Sequence, residues 1–226
     1  MKITVLGCGS IGKLWIAGLT QQAHEVQGWL RIPQPDFDVN VDSINGIPFQ
    51  QRIIANQKTW LQHSELLLVC LKSWQVSDAV NALIPHLSAD CPILLIHNGM
   101  GTLDELTLPE TPTKRAILQG IITHGAYQQD QKVLHTAEGI THIGPLNTTA
   151  RQYGYLAEIL HQALPDVAWH NDIHTISWLK LAVNCVINPL TVFYQCRNGD
   201  LLKYPEHIQK VCDEVYQVME REGVIP

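Results

Sequence analysis

The first twelve residues, Met1 to Gly12, read MKITVLGCGSIG and decide the fold that this sequence predicts. The run from Lys2 to Leu6 is short, apolar and rich in β-branched residues, which is typical of a buried strand. Three glycines follow in the spacing G-x-G-x-x-G, and apolar residues then recur at helical spacing from Lys13 to Gln22. A strand, a tight turn and a helix without a gap are the context in which this motif binds a dinucleotide.

Each glycine of the motif has a separate physical task. The first permits the tight turn, the second lets the backbone approach a pyrophosphate, and the third lets the helix pack closely on the strand. The N–H groups at the start of the helix then face the phosphates. A glycine-rich turn that binds nothing is the alternative, and the flanking strand and helix favour the site. The predicted loop consists of Gly7, Cys8, Gly9, Ser10, Ile11 and Gly12.

Composition limits the classes of function that remain. The chain has 226 residues, of which 46% are hydrophobic and 16% charged, with a formal net charge of −6. That charge gives no general attraction to nucleic acid or to an anionic membrane. We expect neither a membrane-spanning segment nor a signal peptide. The six cysteines form no C-x-x-C pair, which favours reduced, mostly buried thiols in the cytoplasm.

The remaining pattern predicts an α/β fold, a Rossmann-type doubly wound sheet followed by an all-α domain. Five strands should end on one edge of the sheet, and an antiparallel pair within Lys132 to Gly144 should close it. The segment Pro33 to Gln57 is expected to be irregular, with at most short edge strands. From Ile173 onward only helices are predicted, so we place a dinucleotide-binding domain at 1–170 and a helical domain at 171–226. The other expected elements are strands at His24–Leu30, Leu66–Leu71, Pro92–Ile96, Ala116–Ile122 and Val167–Trp169, and helices at Gln75–Leu87 and Tyr153–Leu164.

Cationic and amide side chains stand where the strands are predicted to end. In this fold the end of the second strand carries an acid that binds the ribose of NAD, but here the position holds Arg31. An arginine can bind a 2′-phosphate, so NADP(H) is predicted over NAD(H). Lys72 and Gln75 follow the strand predicted at Leu66–Leu71 and are candidate phosphate or ribose contacts. Asn98 follows the strand predicted at Pro92–Ile96 and offers a carboxamide that could hold a carbonyl or carboxamide group. A solvated surface arginine and a plain helix-start lysine are the alternatives.

A polar stripe interrupts a strongly apolar helix that is predicted around Ser177 to Pro189. Lys180, Asn184 and Asn188 stand at i, i+4 and i+8, so they fall on one narrow side of the helix. Because the other residues are apolar nearly all round, we expect the helix to be largely buried. An ammonium and two amides then suit the wall of a cleft better than an ordinary solvent-facing edge, which is the alternative.

Two histidines have a spacing that could chelate a metal. His170 and His174 are spaced i, i+4, as in many chelating pairs, but no third ligand stands nearby in the sequence. We therefore predict no metal site.

Several longer stretches carry a family resemblance. The sequence resembles the ketopantoate reductases, also called 2-dehydropantoate 2-reductases, and in particular their enterobacterial members. The resemblance implies reduction of ketopantoate to (R)-pantoate with NADPH, a step towards pantothenate and coenzyme A. The stretches that carry it are KITVLGCGSIG, HEVQGWLR, LLLVCLKSWQVSDAV, PILLIHNGMGT, GITHIGP, LPDVAWHN and KLAVNCVINPLT.

The resemblance also implies roles for individual residues. The glycine loop would hold the pyrophosphate, and two cations would hold the 2′-phosphate. One lysine would be the general acid that protonates the developing alkoxide. The implied pyrophosphate loop is Gly7 to Gly12, the implied 2′-phosphate contacts are Arg31 and Lys72, and the implied general acid is Lys180. Asn98 and Ala126 would lie near the nicotinamide, and Asn184, Asn188 and Asn198 would bind the substrate.

One departure from the family is visible at Pro226. Members of the family continue through further helices, so the helix predicted at His207 to Glu222 is expected to keep an uncovered apolar face that favours self-association. We also expect the shorter chain to bind NADPH but to turn over more slowly than an extended version. Two other functions stay open, namely a catalytically impaired NADP-binding remnant and a related 2-keto or β-hydroxy acid dehydrogenase.

Overall fold

Eleven strands and six α-helices occur in the residues that this computed structural model describes, which are 1–44, 46–97, 99–108 and 115–224. The strands are β1 (Lys2–Leu6), β2 (Glu25–Trp29), β3 (Asp36–Asp42), β4 (Pro48–Ile54), β5 (Leu66–Val69), β6 (Ile93–Ile96), β7 (Ile117–Ile122), β8 (Gly125–Gln129), β9 (Lys132–Ala137), β10 (Thr141–Pro145) and β11 (Val167–Trp169). The helices are α1 (Ser10–Gln21), α2 (Lys58–Gln62), α3 (Ser73–Leu83), α4 (Leu156–Ala163), α5 (Ile173–Tyr194) and α6 (Pro205–Arg221). The chain divides into two units, Met1–Ile173 and His174–Pro226.

The main sheet of the first unit has seven strands in the order β11-β10-β7-β6-β5-β1-β2. The five strands from β7 to β2 are parallel, so their carboxyl ends share one edge, as predicted. All four residues of β5 and of β6 are buried, because helices cover both faces of a parallel sheet. Two clusters of buried apolar side chains form the core of this unit.

The prediction for Pro33 to Gln57 was wrong. This segment forms β3 and β4, an antiparallel pair in a second sheet of order β4-β3-β9-β8. The buried side chains of Val39, Val41, Phe49 and Ile53 join the core cluster that contains α1. Scattered Pro, Asp and Asn residues hid this alternation in the sequence, and burial against α1 outweighs their weak strand propensity.

The predicted antiparallel closing pair was only half right. β10 does join the main sheet by pairing antiparallel with β7, and β11 lies beyond it at the edge. β9 instead leaves that sheet and pairs with β8 and β3 in the second one. The Glu138–Ile140 connection thus joins two sheets rather than two strands of one hairpin.

The second unit consists of α5, a 3₁₀ helix at Asn198–Lys203 and α6. The expectation that Ser177 to Pro189 is largely buried was wrong, because Leu179 and Val183 in this stretch of α5 are 42% and 54% exposed. Within the described residues, the second unit adds one 3₁₀ helix and α6 to α5, and apolar side chains of α5 remain exposed. The helix predicted at Ser177 to Pro189 is confirmed, but α5 begins earlier, at Ile173, and continues past Pro189 to Tyr194.

Two further sequence expectations concern α5. This helix is long and apolar enough to cross a membrane by length and composition alone, which is weak evidence since core helices of soluble proteins pass the same test. Cys185 lies on α5 and is exposed, contrary to the expectation of buried thiols. Of the other five cysteines, Cys91 is buried and four are half-buried, and all six are free.

Candidate functional site

The glycine loop has a geometry that leaves room for a phosphate. Gly7 has φ +95°, and a Cβ there would lie 2.8 Å from the carbonyl oxygen of Cys70. A Cβ on Gly12 would collide with the carbonyl of Gly7, whereas one on Gly9 would meet no atom within 4 Å. The first and third glycines are therefore required for close packing, and the second borders open space, as expected for a backbone that contacts a pyrophosphate.

The start of α1 suits an anion. No side chain caps the helix at Gly9, and its first turn contains no acidic residue. The free N–H groups and the positive end of the helix dipole are thus left for a bound negative charge. Burial raises the pKa of the Cys8 thiol, inside the loop, to about 12. This thiol stays protonated and donates to the carbonyl oxygen of Val5 at 3.6 Å, so it adds no negative charge.

The two predicted phosphate cations follow the strands on either side of β1. Arg31 comes two residues after β2 and Lys72 three residues after β5, and both are exposed. Within the described residues, neither side chain forms an ion pair with a carboxylate. Each is followed closely by an exposed apolar side chain, Ile32 after Arg31 and Trp74 after Lys72. This edge therefore offers two cations and apolar surface.

Gln75 is partly engaged by its own helix. Its Oε1 accepts the backbone N–H of Lys72 at 3.3 Å, just before the start of α3. The carboxamide orients the first turn of that helix, and its predicted contact with the cofactor stays a prediction. Asn98 lies outside the described residues. Ala126 is the second residue of β8, next to a register shift, and its half-buried side chain packs against the core.

Unpredicted histidine contacts occur beyond the ends of the parallel strands. His124 Nδ1 lies 3.1 Å from His135 Nε2, and both rings are buried. Burial and the neighbouring His135 lower the pKa of His124. His97 is also buried and its Nε2 lies 2.9 Å from the Thr102 hydroxyl. The sequence shows the histidines but not their pairing, which depends on how the two sheets meet.

The predicted polar stripe lies on α5. Lys180 and Asn184 are half-buried and Asn188 is exposed, and helical geometry turns each by about 40° from the one before. Burial lowers the pKa of the Lys180 ammonium, which brings its proton closer to transfer at neutral pH. Asn198 begins the 3₁₀ helix and is exposed, beside the Lys203–Asp200 ion pair at 2.7 Å.

Among the residues that the structure describes, no group of three or more His, Cys, Asp or Glu side chains could hold a metal ion. His170 pairs with His142 at 2.8 Å, and His174 accepts from the indole N–H of Trp178 at 3.2 Å.

Known proteins match the chain along nearly its whole length. The family model "Ketopantoate reductase PanE/ApbA" matches residues 3–148, and the model of its C-terminal part matches residues 172–225. A 2-dehydropantoate 2-reductase of Yersinia pestis is 56% identical over 223 residues, which are 99% of this chain and 72% of that protein.

Solved structures agree on the fold. A PanE/ApbA family ketopantoate reductase from Ralstonia eutropha JMP134 has a TM-score of 0.83 at 23% identity, over all of this chain and 76% of its own. D-Mandelate dehydrogenase with NADH and anilino(oxo)acetate also has a TM-score of 0.83, at 18% identity over all of this chain and 76% of its own. The chain therefore belongs to the PanE/ApbA ketopantoate reductase family.

Proposed function

We propose that this chain reduces 2-dehydropantoate to (R)-pantoate with NADPH, a step in pantothenate and coenzyme A biosynthesis. The observation that carries the proposal is the 56% identity to a 2-dehydropantoate 2-reductase over 99% of the chain. Such a reaction makes the chain an oxidoreductase with a small-molecule substrate. Of the alternatives, a dehydrogenase for another 2-keto acid has only a fold-level likeness in its favour, since the D-mandelate dehydrogenase match is 18% identical.

The first unit would hold the cofactor. The open space beside Gly9 and the uncapped start of α1 suit the pyrophosphate. Arg31 and Lys72 would grip the 2′-phosphate, because a guanidinium and an ammonium bind phosphate oxygens with charge-assisted hydrogen bonds. Gln75, Asn98 and Ala126 are proposed as further contacts on the strength of the family resemblance.

The second unit would supply the proton. NADPH supplies the hydride that reduces the keto carbon. Lys180 would donate a hydrogen bond to the keto oxygen, stabilise the negative charge that develops there and then transfer its proton to that oxygen. The lowered pKa of Lys180 supports this role, since an acid works best when its pKa lies nearer the operating pH.

The substrate would be oriented by amides. Asn184 and Asn188 continue the side of α5 that carries Lys180, and Asn198 begins the 3₁₀ helix after it. A carboxamide can donate to a carboxylate and accept from a hydroxyl, and ketopantoate carries both groups. Asn184, Asn188 and Asn198 are therefore proposed to hold the substrate while Lys180 acts on its keto group.

The test is a steady-state assay of the purified chain. NADPH oxidation is followed with ketopantoate and, separately, with pyruvate and phenylglyoxylate, and the product is identified by chiral chromatography. We expect kcat/KM for ketopantoate to exceed that for the other two acids by at least about 100-fold, since misfit costs orientation. Equal turnover of all three acids would favour a different 2-keto acid dehydrogenase. NADPH binding without any turnover would favour the impaired remnant.

We also propose that a second copy of the chain covers the apolar surface of the second unit. A groove of about 240 Å³ lies between α5 and α6 and is lined mainly by apolar side chains. Exposed Val183 and Phe193 on α5 and Val218 on α6 extend this surface. Sedimentation velocity over a concentration series should show a dimer that Val218→Lys abolishes, and a monomer at all concentrations would contradict the proposal. Residence in the cytoplasm remains a proposal as well.

A further inference from the structure

One carboxamide controls the shape of the turn that carries Arg31. The turn runs from Leu30 to Gln34, directly after β2. The side-chain Oδ1 of Asn56 accepts the backbone N–H of Leu30 at 3.4 Å and that of Gln34 at 3.3 Å, and its Nδ2 donates to the carbonyl oxygen of Leu30 at 3.0 Å. Both ends of a five-residue turn are thus tied to a single side chain.

The backbone around Asn56 is fixed in turn by neighbouring strands. Its own N–H donates to the carbonyl oxygen of Gly28 at 3.1 Å, and the N–H of Ala55 donates to that of Pro35 at 2.8 Å. Asn56 has φ +52°, in the left-handed region that asparagine tolerates better than most residues. The carboxamide is therefore aimed at the turn by a strained but well-supported backbone.

The turn has few other means of holding its shape. Arg31, Ile32 and Pro33 are all exposed, so packing does not fix their positions. A long guanidinium side chain loses much conformational freedom when it binds a phosphate, and a turn that is already ordered leaves less to lose. Removing the hydrogen bonds of the Asn56 side chain should therefore weaken the proposed contact of Arg31 with the 2′-phosphate and leave the pyrophosphate loop unchanged.

We infer that Asn56 is a positioning residue for cofactor selectivity, which favours NADPH over NADH by ordering the Arg31 turn. The inference rests on the proposed function, in which Arg31 binds the 2′-phosphate. A purely structural role for Asn56 would weaken both cofactors equally, because they share the adenosine, pyrophosphate and nicotinamide. The ratio of the two affinities thus separates the two roles.

The experiment measures dissociation constants of NADPH and NADH by nucleotide fluorescence for the full chain and its Asn56→Gly variant. Glycine removes the carboxamide and accepts the positive φ without strain. We expect NADPH to bind roughly threefold to tenfold more weakly, the worth of a few neutral hydrogen bonds, and NADH to change by less than about 1.5-fold. A preference for NADPH that falls by less than about twofold overturns the inference.

A matched control lies at the opposite edge of the sheet. The Asn147 side chain also accepts two backbone N–H groups, of Ile117 at 3.3 Å and Ala150 at 3.1 Å, and donates to the carbonyl oxygen of Arg115 at 2.7 Å. Asn147→Ala should lower the melting temperature and leave the cofactor preference unchanged. An equal loss of preference in Asn147→Ala would show that general destabilisation is the cause, and would overturn the inference.

A double-mutant cycle separates this inference from the proposed function. If Asn56 acts through Arg31, then Asn56→Gly should leave NADPH affinity unchanged in an Arg31→Ala background. A further loss in that background overturns the inference. If Arg31→Ala leaves the preference for NADPH over NADH unchanged, the role of Arg31 is refuted and the inference with it. If Arg31→Ala lowers that preference but Asn56→Gly does not, only the inference is refuted. Should Asn56→Gly not fold, Asn56→Ser is measured by the same criterion.

Discussion

The two units differ in how much of their apolar surface they bury by themselves. In the first unit the central strands are closed to solvent on both faces, and Leu68 in β5 is 0% exposed. In the second unit apolar side chains such as Val192 on α5 remain largely exposed. The first unit therefore has its own core. The proposed cofactor contacts lie on this self-sufficient part of the chain, whereas the proposed acid, Lys180, lies on the part that leaves apolar surface exposed.

This contrast predicts that the proton-transfer chemistry depends on the second unit and the stability on the first. Lys180→Ala tests the chemistry. Loss of a positioned general acid lowers kcat by about 10²–10⁴-fold, so we expect an effect of that size on ketopantoate reduction. NADPH affinity should stay nearly constant, because the proposed cofactor contacts lie in the other unit. Lys210→Ala, an exposed lysine on α6, is the matched control. A fall in kcat below about threefold would indicate a structural lysine.

Stability should follow the first unit. Leu68→Ala leaves a cavity between fully packed layers, and we expect the free energy of unfolding of that unit to drop by about 2–5 kcal/mol. Val192→Ala removes an exposed side chain and should change it by less than about 0.5 kcal/mol. Urea unfolding followed by circular dichroism measures both. Comparable losses in the two variants would contradict the difference in burial between the two units.

Cofactor selectivity should depend on the first unit alone. Arg31→Ala removes charge-assisted contacts of about 1.5–3 kcal/mol, so the preference for NADPH over NADH should fall at least about tenfold. Fluorescence titration with each cofactor gives the two affinities. The same substitution should leave kcat at saturating NADPH almost unchanged. An unchanged preference would identify Arg31 as an ordinary surface residue.

The smallest expected effect is a pH dependence of the first unit. Burial holds the pKa of His124 below its ordinary value of 6.5, beside His135, Glu138 and Asp166. At a pH between the lowered pKa of His124 in the folded chain and about 6.5 in the unfolded chain, only the unfolded chain binds the proton. The free energy of unfolding should therefore fall as the pH drops below about 6.5. His124→Asn should flatten this slope in urea titrations at pH 5 to 8, whereas His86→Gln, at an exposed position, should not.

Local patterns in the sequence were sufficient to predict the strand, glycine turn and helix that are proposed to hold the cofactor. The G-x-G-x-x-G loop, the strand before it and the helix after it are contiguous, so spacing alone predicts their geometry. Arg31 and Lys72 could be placed because parallel strands end on a common edge. The polar stripe could be placed because Lys180, Asn184 and Asn188 share one helix.

Only the tertiary structure decided what depends on contacts between distant segments. Three features depend on residues far apart in the chain. They are the sheet that β9 joins, the exposure of α5 and the side chain that hydrogen-bonds to the Arg31 turn. Asn56 stands 25 positions after Arg31, in a segment whose composition predicts no regular structure. Sequence periodicity reports the local backbone and the apolar face of an element, whereas the partner that covers that face depends on the packing of the whole chain.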